Sequence, residues 1–353
     1  MNIYDYVKKF GIYDFNKKEF NEIDNLILSV VMYLDFTGIV DYKKNKRDLR
    51  SAGLDYLNTH NQKEISKLGR AQKDAYKLLK LLINSKRYKN ILLSNYRYIS
   101  SIDSQFSALT FEIDKKLKFI GFEGTDELLS GWKEDAYMSF KFPVDAQQYA
   151  INYINEVVSI FDKNIIVAGH SKGGNLALVA TMYSKFYINK KIQKVYSNDG
   201  PGLKKEEFES KKYRKIKDKY IHIIPDNSLV GILLKNDSYH VIKSYKKNIL
   251  CHSASTWLID NDHFITSFQS KKSKNTEMKL EECLDKIPYS TKELIINNIF
   301  SEYEKKGINN INEIKNIKST INIIKKINKV DIETKKSLIK IIEVIVKEYL
   351  AKV

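Results

Sequence analysis

The stretch NIIVAGHSKGGNLALVATMYSKF, residues 164–186, decides how the rest of the chain is read. Asn164 to Ala168 forms a short apolar run of the kind found in strands covered on both faces. From Asn175 onward the pattern suits a helix. Between the two, Gly169-His170-Ser171-Lys172-Gly173 fits G-x-S-x-G. A serine held on a tight strand-to-helix turn needs glycine on either side, because side chains there would clash. The turn lifts the hydroxyl above the sheet, and the helix that follows aims its free N–H groups and positive dipole end at the same place. Glycine is scarce, 14 in 353 residues, so the bare pattern arises by chance in roughly a few per cent of such chains. The flanking strand and helix sharpen it. A phosphate-binding turn is the competing reading, but Gly169 is not followed at the Walker spacing by Gly-Lys.

Working outward, more strands alternate with helices. FSALTFEID and KLKFIGF, on either side of Lys115-Lys116, predict a hairpin or two adjacent strands. Pro143 to Phe161 predicts a helix whose apolar stripe is Ala150, Ile154, Val157, Val158 and Phe161. Lys194–Ser197 and Tyr220–Ile224 predict two more strands, each ending in a polar loop, NDGPG and PDNS. Nearer the N-terminus, Ile23, Leu26, Ile27, Val30, Val31 and Leu34 fall at helical spacing, and a second helix is expected around Lys67 to Leu82. This alternation implies a mostly parallel sheet flanked by helices, with its ligand beyond the carboxyl ends of the strands. The fold class is therefore α/β, of the α/β-hydrolase type. Residues 1–274 are expected to form that domain. From residue 275 to 353 the texture turns to Lys, Ile, Asn and Glu, with Leu338, Ile341, Ile342, Ile345, Val346 and Tyr349 at helical spacing, which predicts a small helical appendage.

Candidate partners for Ser171 follow from the architecture. Of two oxyanion donors, one is the backbone N–H of Lys172, and the other belongs to the loop after an earlier strand. The strand ending at Gly124-Thr125-Asp126 makes Thr125 that residue, with its hydroxyl as an added donor. The base and acid should come in the order Ser, Asp or Glu, His. Four histidines follow Ser171. His222 lies inside a strand and suits core packing, and His240 sits in a β-like stretch. His252 opens a loop and is preferred as base, ahead of His263 and His240. Asp226, just after the strand YIHII, is the first choice of acid; Asp199 is the alternative and Asp237 an outsider. Leu203 to Lys219 is a candidate lid.

The bulk composition narrows the function classes. Apolar residues at 43% support a packed core and argue against disorder. The formal charge of +17 draws the chain toward acidic surfaces, but the lysines are scattered and far exceed the arginines. Nucleic acid is therefore not expected as a partner, whereas the basic helical tail raises peripheral membrane contact. Two cysteines cannot build a disulfide framework and suit a reducing compartment. With no leader-like segment and no window apolar enough to span a bilayer, a cytoplasmic location is expected. No zinc-spaced Cys/His cluster is seen, and no cofactor is expected.

Several of these segments together are similar to a known group. GFEGTDELLSGWKED resembles the F-R-G-T…W…D segment of class 3 lipases, and GHSKGGNLALVA resembles their G-H-S-x-G-G-A-x-A elbow. A still closer resemblance is to an uncharacterised bacterial lipase-like branch, in which FNEIDNLILSVVMYLDF, GTD…GWKEDAYMSF, GHSKGGNLA, NDGPG and a His-led loop ending at Trp257 recur in this order, over about residues 1 to 260. The resemblance implies Ser171 as nucleophile and an oxyanion hole at Thr125 and Lys172. Two departures stand out. Glu123 replaces the usual arginine, so any ion pair made by that arginine is lost or inverted. In class 3 lipases the acid directly precedes an apolar pair; here Ser228 holds that place before Leu229-Val230, and Asp226 is two residues early. The expected activity is hydrolysis of a lipid-like or other acyl ester through a Ser-His-Asp triad, with Lys172 either favouring anionic substrates or standing as a solvated lysine at the helix start. The alternative is a hydrolase-fold module that binds a partner without catalysis.

Overall fold

A computed structural model describes residues 1–60, 62–314, 317–327, 330–332, 334–336 and 339. The expected tail stripe from Leu338 to Tyr349 lies outside them. Eight strands form one sheet in chain order: β1 (Arg47–Asp48), β2 (Leu92–Ser100), β3 (Gln105–Glu112), β4 (Leu117–Phe122), β5 (Asn164–His170), β6 (Ile192–Asn198), β7 (Tyr220–Pro225) and β8 (His240–Ile242). β1 to β4 pair antiparallel, and β4 to β8 pair parallel. A small ribbon, β9 (Ile259–Asp260) and β10 (His263–Phe264), stands apart. The arrangement is that of an α/β-hydrolase fold. The β3–β4 hairpin forms where expected, because Asp114 turns the chain by accepting the Lys116 and Leu117 N–H groups at 2.6 and 2.8 Å. β2 escapes the alternation pattern: it bulges between Ser94 and Arg97, with Asn95 at φ +57°, so its side chains fall out of register.

Strand period fixes which side chains meet which helices. Along β5, Ile165 and Val167 join Ile120, Phe122, Ala150, Tyr153, Leu176 and Ala177 on one face, while Ile166 and Ala168 join Leu26, Ile27, Leu79, Leu109 and Phe119 on the other. The helices that cover these faces follow from the chain order. α1 (Ile3–Phe10), α2 (Glu22–Val31), α3 (Leu49–Thr59), α4 (Gln62–Lys67) and α5 (Arg70–Leu82) precede the main strands. α6 (Leu129–Tyr137) and α7 (Asp145–Val157) connect β4 to β5, and α8 (Lys172–Met182) with the short α9 (Phe186–Asn189) connects β5 to β6. α7 and α8 cover one face, and α1, α2 and α5 cover the other. α7 stops at Val157, four residues before the expected end, so Phe161 leaves the apolar stripe and stands 84% exposed in the turn.

Two single-turn helices, α10 (Lys205–Phe208) and α11 (Lys211–Arg214), occupy the segment expected to be a lid. Their Leu203, Tyr213 and Ile216 instead pack on Leu178, Val179 and Met182 of α8, so the segment is wall rather than cover. After β10 the described residues continue as α12 (Lys271–Lys286), α13 (Tyr289–Lys305) and α14 (Ile317–Lys326). Ile295, Ile299, Phe300 and Ile324 of these helices pack on Leu129 of α6, beside the site. Among the described residues, no helix is long and apolar enough to cross a membrane.

Candidate active site

Ser171 caps α8 at the end of β5 with φ +58° and ψ −133°, a conformation that L-residues rarely adopt. The two glycines around it are there for space. A Cβ on Gly169 would run into the backbone of Gly173, and one on Gly173 into the Phe122 carbonyl of β4. Neither position tolerates a larger residue without moving the sheet. The Ser171 N–H is bonded to the Asn198 carbonyl at 3.0 Å. The Asn198 side chain donates to Gly169 O, Ser29 and Asn25, and Asn25 donates back at 2.9 Å, so α2 braces the elbow from beneath.

The loop after β4 lies against the elbow, since a Cβ on Gly124 would strike the His170 carbonyl. The backbone N–H groups of Thr125 and Lys172 donate no hydrogen bond among the described residues. The Thr125 hydroxyl, by contrast, is already engaged: it donates to Asp135 Oδ2 at 2.6 Å. Its expected part as an added oxyanion donor is therefore not available while Asp135 is ionised. Burial pushes the Asp135 carboxyl up to about 6, against the pull of Lys172 and the Thr125 hydrogen bond.

The Lys172 side chain corrects both sequence readings, because it is neither solvated nor facing substrate. It is 2% exposed; Nζ donates to the Gln105 carbonyl at 2.8 Å and to Glu134 Oε2 at 3.1 Å. Glu134, buried on α6, also accepts from Ser104 Oγ and from the N–H groups of Gln105 and Ala146. Burial alone would pull the lysine down, but Glu134, Asp135 and Glu123 outweigh it and hold it above its ordinary value. The Glu123 carboxyl is held well above the usual range by burial and by Asp126, with Lys172 opposing. Lys172 thus makes its ion pair with Glu134 of α6, not with Glu123 just beyond β4.

His252 lies in a short 3-10 turn, Asn248–His252, beyond β8. Its Nδ1 is 2.6 Å from Asp199 Oδ2. The carboxylate accepts, so Nδ1 carries the proton and Nε2 keeps its lone pair. Asp199, fully buried with φ +52°, directly follows β6 and receives two further bonds on Oδ1, from the Ser228 hydroxyl and from Gly231 N at 3.0 Å. Asp226 is the correction. Its backbone is bonded to Ile242 and Ser270, toward β8 and α12, and among the described residues its carboxylate accepts only from the adjacent Asn227. The position that does face the site after β7 is 228, and it carries a hydroxyl. His263 and His240 are exposed on β10 and β8, and Asp237 accepts from Tyr213. His222 is buried under the loop, with Nε2 2.9 Å from the Gly200 carbonyl, and burial pushes it down to about 4.

One participant was hidden in the motif's variable position. His170 Nε2 lies 2.8 Å from the His252 carbonyl, and its Nδ1 lies 2.9 Å from the Tyr33 hydroxyl. A carbonyl can only accept, so Nε2 carries the proton and Tyr33 donates to Nδ1. Burial pushes His170 down to about 3, so it stays neutral. The rest of the base-bearing loop is held by Trp257 Nε1 on the Cys251 carbonyl and by Ser253 and Ser255 on Asp74. No periodicity or spacing signals such contacts. Among the described residues, no group of three or more His, Cys, Asp or Glu is arranged to hold a metal.

Comparison with known proteins gives a family and a distant structure. The Mbeg1-like family model matches residues 82–301. A crystal structure of M37 lipase is similar at 14% identity over 59% of this chain and 68% of that one, with a TM-score of 0.33. No curated protein matches the chain.

Proposed function

We propose that this chain, which belongs to the Mbeg1-like family, is a serine hydrolase that cleaves a carboxylic ester through an acyl-enzyme. The observation that carries the reading is the 2.6 Å bond between His252 Nδ1 and buried Asp199, beside a serine held at φ +58°. His252 Nε2 takes the Ser171 proton as Oγ attacks the ester carbonyl. The backbone N–H groups of Thr125 and Lys172 receive the tetrahedral oxyanion. The imidazolium, stabilised by Asp199, returns the proton to the leaving alcohol. Water, deprotonated by the same histidine, then cleaves the acyl-enzyme and restores the Ser171 hydroxyl. A lipid-like or other acyl ester fits this chemistry. The Ser171 hydroxyl and His252 Nε2 make no hydrogen bond among the described residues, and such contacts often tighten only when substrate binds. The reading as a silent binding module drew on the serine at position 228 and on the helical tail; the bond between Asp199 and His252 answers the first of these.

The test is labelling with a fluorophosphonate probe. Wild type should label, and Ser171→Ala should not. His252→Ala and Asp199→Asn should label slowly, and Asp226→Asn at the wild-type rate. A folded wild type that stays unlabelled would overturn the proposal.

A further inference from the structure

We infer that the end of the sheet opposite the active site docks on an anionic lipid surface. Because β4 to β8 run parallel, the turns that enter β4, β5, β6 and β7 all lie at that one end. Two of them carry large apolar side chains pointing into solvent. Ile160 and Phe161 are 71% and 84% exposed in the turn after α7, and Phe186 is 75% exposed on α9. These turns adjoin: Lys191, next to α9, donates through Nζ to the Ser159 and Ile160 carbonyls at 2.9 and 2.5 Å. The fold gains nothing from exposing these side chains, since taking apolar surface out of water is stabilising. Singly exposed apolar residues are ordinary, but three on adjoining tips form a patch.

The surroundings say what the patch meets. Lys115, Lys116, Lys163, Lys190 and Lys191 stand on the same turns, and Lys194 is exposed near the start of β6. The acids of this end include Glu112, Asp114, Asp162 and Asp218; Glu112 is paired with Lys46 and Lys118, Asp162 with Lys118 at 2.6 Å, and Asp114 accepts from the hairpin backbone. Lys190 Nζ sits 4.4 Å from the Phe186 ring, so cation and apolar group are presented together. A basic ring around protruding apolar tips is complementary to phosphate headgroups over hydrocarbon. A second copy would bring like charge against like. A nucleic acid would favour arginine, which these turns lack, and gains nothing from Ile160. The sequence assigned membrane contact to the tail; this face is at the base of the sheet, so a docked chain turns Ser171 away from the bilayer.

Vesicle sedimentation with the full chain tests this, using phosphatidylcholine vesicles with and without about one third phosphatidylserine. Wild type should bind the anionic vesicles only, and less as salt is raised. Phe161→Ser and Phe186→Ser should each lower partitioning by about tenfold, from the lost burial of one ring. Lys190→Glu with Lys194→Glu should lower it further. Fluorophosphonate labelling, where wild type labels, or the circular dichroism spectrum where it does not, verifies that the variants fold. Wild type that ignores anionic vesicles overturns the inference. So does binding that the phenylalanine variants leave unchanged, and so does binding to duplex DNA that outcompetes the vesicles.

Discussion

Asp199 and Asp226 are the same residue in the same topological place, each one step beyond the carboxyl end of a parallel strand, β6 and β7. Their fates differ completely. Asp199 is fully buried, holds His252 through Oδ2 and receives Ser228 and Gly231 on Oδ1. Asp226 stays half-buried, and among the described residues its carboxylate accepts from its neighbour Asn227 and from no histidine. What separates them is the return path of the chain. The segment after β7 folds back over the end of β6, bringing Ser228 and Gly231 onto Asp199 and carrying Asp226 outward to β8. A carboxylate becomes the orienting group of a histidine where donors converge to fix its position, and strand ends alone do not select that place.

The largest break of this comparison is amide substitution at each site. Asp199→Asn should lower kcat/KM on an activated ester by about 10³–10⁴-fold, because an amide no longer fixes the Nδ1–H tautomer. Asp226→Asn should stay within about twofold, as a half-buried carboxylate bonded only locally. Equal losses would dissolve the distinction. A sharper version moves the acid to the place class 3 lipases use: Asp199→Ser with Ser228→Asp should recover at least about tenfold over Asp199→Ser alone, since the two side chains already touch. A double variant no better than the single one would show that His252 is oriented from β6 only. Smaller again is Ser228→Ala, which removes one of three donors and should cost about 1–3 kcal/mol of stability by chemical denaturation, with activity lowered far less than by Asp199→Asn.

The elbow was legible because it is local: a strand, five residues with two space-limited glycines, and a helix. The parallel half of the sheet was legible for the same reason, through short apolar runs alternating with helices. His252 stood out by elimination among few histidines. The acid was not legible, because Asp199 and His252 are 53 residues apart and meet only through the fold of the intervening loop. The Tyr33–His170–His252 chain was hidden likewise, its first two members being 137 residues apart. Lys172 misled for a different reason. A lysine at a helix start is usually solvated, and nothing local announces that Glu134, on a helix before β5, will close over it.

A third aspartate extends the comparison in the opposite sense. Asp135 accepts from Thr125, yet it lacks the convergent donors of Asp199: its Oδ1 is buried without a partner. Burial accordingly raises it from an ordinary 3.8 to about 6. The sign follows from which state binds the proton more tightly. The folded chain keeps the proton to higher pH than the unfolded one, so the group's contribution is full below about pH 4 and is lost as pH rises through 6. A rise of this size corresponds to about 3 kcal/mol, and partial exposure of the side chain reduces this to about 1–2 kcal/mol. Asp135→Asn keeps an acceptor for Thr125 but cannot ionise. Its stability relative to wild type should therefore climb by that amount between pH 4 and 7, measured by urea unfolding at each pH. A difference that stays flat across this range would mean that Asp135 is ionised throughout and that burial does not raise it.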